Sequence, residues 1–546
     1  MQSSSEADLA ASVVRDFEEI SGKRGNWESH WEEIAERILP HTARLFTSAR
    51  GESSKGSKKT ELVFDSTAAI ALGRFTSIVT YLLYPQNQIY HRLKSDNEHL
   101  NKDRSVNLFF EDLNSRIWKT RHAPYSGFLG ENEQDSEALG AFGTTCLYSD
   151  PLRDRVGFRY RHCHLGEVYF KDNFQGITDT VFRHYPLKAR QIIQKWGKER
   201  LPDKVLNAKS DDEFFVLENV RPREDVDRNK LDHRGMDWVQ YDVLMEGKVL
   251  LQEKGYRSFP YAISRYRLGS RETYGRSIAM DCLPAIKTLN EEKKTVLKQG
   301  HRALDPVLLA HDDGVLDSFS MRSGYLNFGG VNKDGKALVQ ALPSGNIVAG
   351  KELMDDERSL IENAFFTTLF QLLIQSPAKT ATQVVEEIRE KGILLTPTFG
   401  RHQSEKLGRL IEREIDMLFQ IGQFPEIPPV LVEAAGEYEI VHESPLNKAA
   451  RVEEVAGLMR GLDMAIRVAS ETQNPEPLDH YNWDEVVPEV NDIFGTPLRW
   501  MNSKDKIEQI RAARKEQMDI EQAGRLSSGG SAMIKAVDQV QQNQAV

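Results

Sequence analysis

A mixed α+β fold is predicted for this chain of 546 residues by three features of its hydrophobic pattern. Long stretches repeat apolar side chains at helical spacing, shorter regions alternate with the period of two that marks strands, and a compact glycine-rich insert separates two of the longest helices. Hydrophobic residues make up 40% and charged residues 28% of the chain, and mean hydropathy is −0.51. That balance fits a folded protein with a large core, with room for roughly three or four domain-sized units.

Residues 12–39 place Val13, Phe17, Ile20, Trp27, Trp31, Ile34 and Leu39 on a loose stripe. Gly22 and Gly25 divide it into two shorter helices, and Pro40 ends the second. A polar loop over 51–60 leads to an apolar helix over 66–83, with Asp65 or Ser66 as its cap and Pro85 just beyond. This helix is short and carries Arg74 near its middle, whereas a membrane span needs about 20 apolar residues; it reads as a buried core helix. Residues 144–187 turn to strands, with Val156, Phe158 and Tyr160 on one face and Arg155, Arg159 and Arg161 on the other. A hairpin over 238–252 turns at Glu246-Gly247.

After Tyr274 the chain becomes helical again. Leu283, Ile286, Leu289, Val296, Leu297, Gly300 and Leu304 share one face, with Pro284 accommodated in the first turn. Residues 305–350 read as short strands at 307–310, 325–328 and 338–342 joined by glycine turns. A second long helix starts near Lys351, with Leu353, Leu360, Ile361, Ala364, Phe365, Thr368, Leu369, Leu372 and Leu373 on one broad face. Each helix is expected to be roughly 35 Å long at 1.5 Å per residue. Pro377 stops the second one, because it lacks a donor and clashes with the preceding turn. Further helices are expected from Thr380, from Ser404 (Leu407, Leu410, Ile411, Ile415, Leu418 and Phe419 in phase, closing at Gly422), from Pro445 to about Ser470, and over 504–523. Residues 424–430 read as a boundary, and the Gly-, Ser- and Gln-rich residues 527–546 as a mobile tail.

The net charge of −11 and pI near 5.8 argue against a tight groove-binding DNA reader. Like charge still suits a wall along which a duplex must slide without sticking. Three scattered cysteines, Cys146, Cys163 and Cys282, fit assembly in a reducing cytosol, and the first residues lack the pattern of a secretory signal.

Motifs for catalysis are weak. Gly51 to Lys58 resembles a phosphate loop, but Ser57 stands where the lysine belongs and no strand leads in. His162-Cys163-His164 alternates faces if it lies in a strand, which separates the cysteine from both histidines. Asp312-Asp313 precedes a turn glycine, and Asp355-Asp356 lies early in a helix where negative charge suits the dipole. No catalytic residue, metal site or cofactor is therefore expected, and the chain does not read as an enzyme.

The ordered segments WESHWEEIAERILP (27–40), VFDSTAA (63–69), LYPQNQIYHRL (83–93), YGRSIAMDCLPAIKTLN (274–290), DPVLLAHDDG (305–314) and the run 379–424 resemble the podovirus head-to-tail connector, or portal, family. The resemblance covers roughly residues 20–430, on motifs that are structural rather than catalytic. It implies a portal fold with a wing (1–274 and 381–444), a stem of two helices (275–304 and 351–375), a β-containing clip (305–350), a tunnel loop (375–380) and a helical crown (445–526). The crown assignment rests on position alone. The resemblance also implies a homo-oligomer, a dodecameric ring at one capsid vertex of the virion, assembled in the host cytoplasm. Its implied partners are double-stranded DNA bound without sequence preference, the terminase large subunit, major capsid and scaffolding proteins, and tail adaptor proteins, with no membrane span. Ser376, Lys379 and Thr380 are the candidate DNA-channel residues, Lys379 being the one full charge among them. The competing readings are another virion structural protein, such as a scaffold or internal core protein, and a packaging enzyme. The strands at 144–187 and 238–252 count against a nearly all-helical scaffold, and the failed phosphate loop counts against an ATPase.

Overall fold

The computed structural model describes residues 2–46, 56, 58–86, 89–230, 232–310, 320, 322–342, 347–367, 400–434, 438–442, 445–474, 476–494 and 496–520. In chain order its regular elements begin with α1 (Gln2–Gly22), α2 (Gly25–Ile38), α3 (Thr67–Leu83), β1 (His91–Ser95), α4 (Arg104–Arg121) and α5 (Phe128–Phe142). Strands β2 (Thr144–Pro151), β3 (Phe158–His162), β4 (Val168–Asp172) and β5 (Thr178–Lys188) follow, then the short helices α6 (Ala189–Trp196) and α7 (Asp203–Leu206). Next come β6 (Glu213–Pro222), β7 (Trp238–Leu244), β8 (Val249–Tyr256), β9 (Tyr261–Arg265) and the long α8 (Ile278–Leu304). The later elements are β10 (Leu308–Ala310), β11 (Val339–Ala341), α9 (Ile347–Ala364), α10 (Gly408–Gln420), α11 (Pro429–Glu433), β12 (Tyr438–His442), α12 (Pro445–Thr472) and α13 (Trp483–Phe494). Residues 504–520 are also helical.

The chain divides into two units: Met1–Tyr90, Arg116–Phe424 and His442–Ala449 form the first, and His91–Ser115, Pro425–Val441 and Ala450–Val546 the second. In the first unit, β4 to β8 form an antiparallel meander in sequence order. One face of this sheet takes α1, through Ala10, Val13, Val14 and Phe17 against Tyr169, Phe182, Leu217, Val239 and Val243. The other face takes α6 and α7, through Ala189, Ile192, Leu201 and Val205 against Phe214, Val216, Leu244 and Leu251. Each such buried side chain contributes roughly 1.5–3 kcal/mol of transfer free energy. A second sheet, in order β3-β2-β9, lies beside α5. Gly143 makes the α5–β2 turn at φ +77, where a Cβ would come within 2.5 Å of the Gly275 carbonyl oxygen. The start of α8 is thereby held against this turn, and Ser277 fixes it: its Oγ accepts from the Met280 amide (3.0 Å) and donates to the Ala141 carbonyl (2.8 Å).

The second unit pairs β1 with β12. Arg104, at the start of α4, donates to the carbonyls of Leu498 and Met501 (3.2 and 2.7 Å), and Glu111 accepts from the Leu498 amide (3.2 Å). Met464 and Trp500 are largely exposed there.

The break in the N-terminal helix, the 67–83 helix, the hairpin over 238–252 and the Pro445 helix lie where the sequence places them, although α1 begins at Gln2, ahead of the expected residue 12, and β8 runs on to Tyr256. Gly247 and Lys248 both take positive φ at the hairpin turn. Several expectations need correction. Val156 is exposed in the β2–β3 turn, closed by Leu152 N–H to the Gly157 carbonyl (2.9 Å), so β3 begins only at Phe158. Residues 325–328 are a turn and not a strand: Asn327 Oδ1 accepts from the Ser320 amide and its Nδ2 returns a bond to the Ser320 carbonyl, both 2.8 Å. Pro284 is the seventh residue of α8 and lies in its interior, on the exposed side, where the lost hydrogen bond is tolerated. Helix α9 starts at Ile347 and not near Lys351, because Gly350 is helical and packs within a Cβ-length of Val296 (2.8 Å from an added Cβ to Cγ2). Asp355-Asp356 is consequently mid-helix. At 27 and 18 residues, α8 and α9 are about 40 and about 27 Å long.

Candidate functional site

Ser376, Lys379 and Thr380 lie outside the described residues, as does the helix expected from Thr380 up to residue 399. The structure does describe the two elements that flank them: the α8–α9 hairpin before and the helical segment 400–420 after.

The hairpin is built on α8. Its first half is buried through Ile278, Leu283, Ile286 and Leu289, whereas toward its end Leu297 is half exposed and Leu304 is 87% exposed. Asn290 ties this helix to the entry of α3, its Oδ1 accepting from the amides of Phe64 (2.8 Å) and Asp65 (3.1 Å). Asp65 in turn caps α3 by accepting from the Thr67 amide (2.9 Å) and receives Arg358 of α9 (2.7 Å). Burial pushes the Asp65 carboxyl up, but its bonds to Thr67 and Arg358 leave it below its ordinary value. Along α9 only Met354 and Ile361 are buried, while Val348, Leu353 and Leu360 are each more than half exposed. Between the helices Leu309 on β10 is half exposed, and Leu326 and Phe328, in the loop between β10 and β11, are largely exposed.

The segment after the connector is anchored differently, by charge. It opens into a wide π turn over Gln403–Leu407 before α10. His402 is buried between Tyr84 and Ser264, with Nε2 2.7 Å from the tyrosine hydroxyl and Nδ1 2.7 Å from the serine hydroxyl. Glu405 accepts from the Arg265 amide (3.0 Å) and guanidinium (3.0 Å) on β9 and from Arg401 (3.0 Å). Lys406, fully buried, donates to Asn132 Oδ1 (2.8 Å) and Asp135 Oδ2 (2.5 Å) on α5. Glu414 takes a two-point bond from Arg121 (Nε to Oε1 2.8 Å, with Nη2 on Oε2) and a further one from the Tyr160 hydroxyl. Arg413 reaches Asp150 (3.1 Å) and Asp416 (2.9 Å).

Burial opposes ionisation of Asp135, yet the Lys406 ammonium and the His162 ring at 3.1 Å hold its carboxyl well below the usual carboxylate range. Burial likewise lowers Lys406, with Asp135 opposing. Sequence reasoning missed all of these charged residues, because it followed the apolar phase of 404–419. The signal present was Lys406, Arg413 and Glu414 recurring on the same helical face as Leu410 and Met417.

The histidines singled out in the sequence have contacts within the chain. His162 serves Asp135, and His164 sits between the rings of Phe46 and Phe142 (centroids 4.9 and 5.7 Å). Among the described residues no cluster of His, Cys, Asp and Glu has the arrangement of a metal site. Asp355 pairs with Arg358 (2.8 Å), while Asp312-Asp313 and most of 51–58 lie outside the described residues. No described helix is long and apolar enough to cross a membrane.

Comparison with known proteins gives a consistent picture. Residues 10–501 match the family model described as bacteriophage head to tail connecting protein. The chain is 24% identical to the "Probable portal protein" of Bordetella phage BPP-1, an alignment covering 96% of this chain and 95% of that one. It is 21% identical to the "Portal protein" of Salmonella phage epsilon15, covering 97% and 95% respectively.

Two measurements check this geometry. Lys406→Met leaves Asp135 buried without its cation and is expected to cost about 3–5 kcal/mol in urea unfolding. Adding Asp135→Asn should recover much of the loss, and a single-variant cost below about 1 kcal/mol would contradict the anchor. The second concerns His164, whose Nδ1 accepts from the Gly166 amide (3.0 Å) and whose buried ring is pushed down to about 3 by burial. The unfolded chain, at about 6.5, takes up the proton first, so this contribution is complete above pH 6.5 and declines as pH falls toward 3, by up to about 1.4 kcal/mol per unit. His164→Phe should flatten the acid limb of the stability profile relative to the parent; parallel limbs would show that His164 titrates normally.

Proposed function

Because the chain belongs to the bacteriophage head to tail connecting protein family, we propose that it is the subunit of a closed ring at one capsid vertex, through which DNA is packaged, retained and ejected. The observation that carries this reading is the apolar surface that α8, α9 and the β10–β11 ribbon leave uncovered in a single copy. Leu353 and Leu360 lie on α9, whose Met354 and Ile361 are buried within the chain, while Leu304 at the end of α8 and Phe328 in the loop between β10 and β11 are 87% and 83% exposed. Contiguous exposed apolar surface on a well-packed element marks a protein contact. A second copy of the same chain is the simplest cover, and head-to-tail contacts that repeat around an axis close into a ring.

In this reading α8 and α9 are the stem, the ribbon between them is the clip, and the connector after α9 presents Ser376, Lys379 and Thr380 to the duplex. The clip meets the terminase large subunit during packaging and tail adaptor proteins afterwards, while the wing meets major capsid and scaffolding proteins. The ring count is about twelve, and the ring itself catalyses nothing: ATP hydrolysis belongs to the terminase. The net charge of −11 per copy makes the particle acidic, which supports transit of DNA over binding of DNA.

Negative-stain images of the purified protein should show closed rings of about a dozen copies with an axial hole. The double variant Leu353→Glu, Leu360→Glu should yield monomers or open fragments of unchanged fold. A parent protein that is monomeric by native mass measurement at every concentration would contradict the reading. For the connector, Lys379→Glu should leave ring formation intact and impair DNA packaging or retention in assembled heads. Mutant phage that package and hold DNA like the parent would remove Lys379 from the channel contacts while leaving the ring assignment standing.

A further inference from the structure

Cys146 and Cys163 form a pair that none of the proposed portal roles uses. Cys146 lies on β2, the central strand of the β3-β2-β9 sheet, and Cys163 is the residue that follows the last one of the edge strand β3. The antiparallel register pairs Leu147 with His162, so the next position sets Cys146 directly opposite Cys163. The Cys163 amide donates to the Cys146 carbonyl at 2.8 Å. Side chains at directly opposed positions of an antiparallel pair stand on the same face of the sheet, with Cβ atoms about 4.5–5.5 Å apart. The Cys163 thiol also donates to the Arg161 carbonyl at 3.8 Å. Both cysteines are fully buried, and neither is in a disulfide. The third cysteine, Cys282, lies apart on α8.

The charge around the pair is also unusual for a buried apolar sheet. The Arg183 guanidinium, itself nearly fully buried, acts on Cys163 and favours its thiolate. Arg183 is held there by Glu167 (3.0 Å) and by Glu218 (3.9 Å). The Cys146 thiol first, and the Arg183 charge after it, lower Cys163 below the usual thiol value, while burial pushes Cys146 well above it. A thiolate stabilised by a cation is the form that reacts, and a second thiol within reach resolves the product.

We propose that Cys146 and Cys163 are a latent cross-strand disulfide, reduced while the protein is made in the cytosol and closed when the particle meets a peroxide-class oxidant outside it. The Cys163 thiolate attacks one peroxide oxygen, the O–O bond breaks and hydroxide leaves, giving a sulfenic acid. The Cys146 sulfur then attacks that sulfur and displaces the hydroxyl as water. Two thiols and one hydrogen peroxide become one disulfide and two waters. Cys163 sits just past the end of an edge strand, so local fraying suffices to admit an oxidant of water-like size. The product ties β2 to the end of β3, on the sheet that also carries Asp150, the partner of Arg413. The thiol chemistry needs only one chain, whereas its setting, a particle outside the cytosol, rests on the portal reading.

The test uses the purified full-length protein, treated with hydrogen peroxide, quenched, denatured and labelled with a maleimide. The expected result is loss of two of three labelled thiols together, a chain lighter by two hydrogens, and a linked peptide pair containing Cys146 and Cys163, all reversed by dithiothreitol. Cys282 remains labelled. The oxidised protein should also unfold at a higher temperature than the reduced one, because a cross-link restricts the unfolded chain. Three labelled thiols after treatment, oxygen added to the cysteines in place of a disulfide, or a link to Cys282 would each overturn the proposal.

Discussion

The placement of residues 400–420 depends on one physical constraint: a helix whose inward face is charged must find every one of its partners. Lys406 and Glu414 are fully buried and meet Asp135 and Arg121, also fully buried. Removing such charges from water costs several kcal/mol each, and the pairs roughly recover that cost only in good geometry. A slip of this helix by one residue leaves four buried charges unpaired. The network therefore adds little net stability and specifies position strongly. The same helix reaches β9 through Glu405 and the core of α3 through Tyr84 and His402. Residues 400–420 are thus fixed on that side, while Asn290, Asp65 and Arg358 tie α8, α3 and α9 together.

These two anchors contrast with the exposed surface of the hairpin. Within the first unit, α1 and α6 cover the meander and α5 lies against the second sheet. The distal half of α8, the outer side of α9 and the ribbon have no comparable cover among the described residues. On α9, Arg358 turns inward to Asp65 and pairs with Asp355, while Leu353 and Leu360 are left to the outside. A monomer with this surface is a poor final state in water, which is the physical ground for a closed assembly.

The sequence was legible where burial is apolar. The stripe Val13–Phe17, the alternation of Phe158 and Tyr160, and the face Leu283–Ile286–Leu289 are buried where periodicity places them. It was illegible where burial is polar. Helix α5 went unread because its inward positions include Asn132, Asp135 and Ser136, all buried and all silent in a hydrophobic pattern. Gly350 read as a turn, although it is a helical contact against Val296. Tyr325–Phe328 looked like a strand from its side chains, while Asn327 closes it as a turn. The family resemblance supplied the overall assignment from ordered motifs that periodicity alone could not connect. The candidate residues 376–380 rest on the sequence, and their flanks rest on the structure.

A three-dimensional reconstruction of the assembled particle tests the central claim most directly. Neighbouring copies should bury Leu353 and Leu360 against one another around an axial channel, with the 400–420 helix seated on Arg121 and Asp135 as in the single chain. An assembled particle in which the outer face of α9 remains in solvent, or in which copies meet through other surfaces and leave no axial channel, would contradict it.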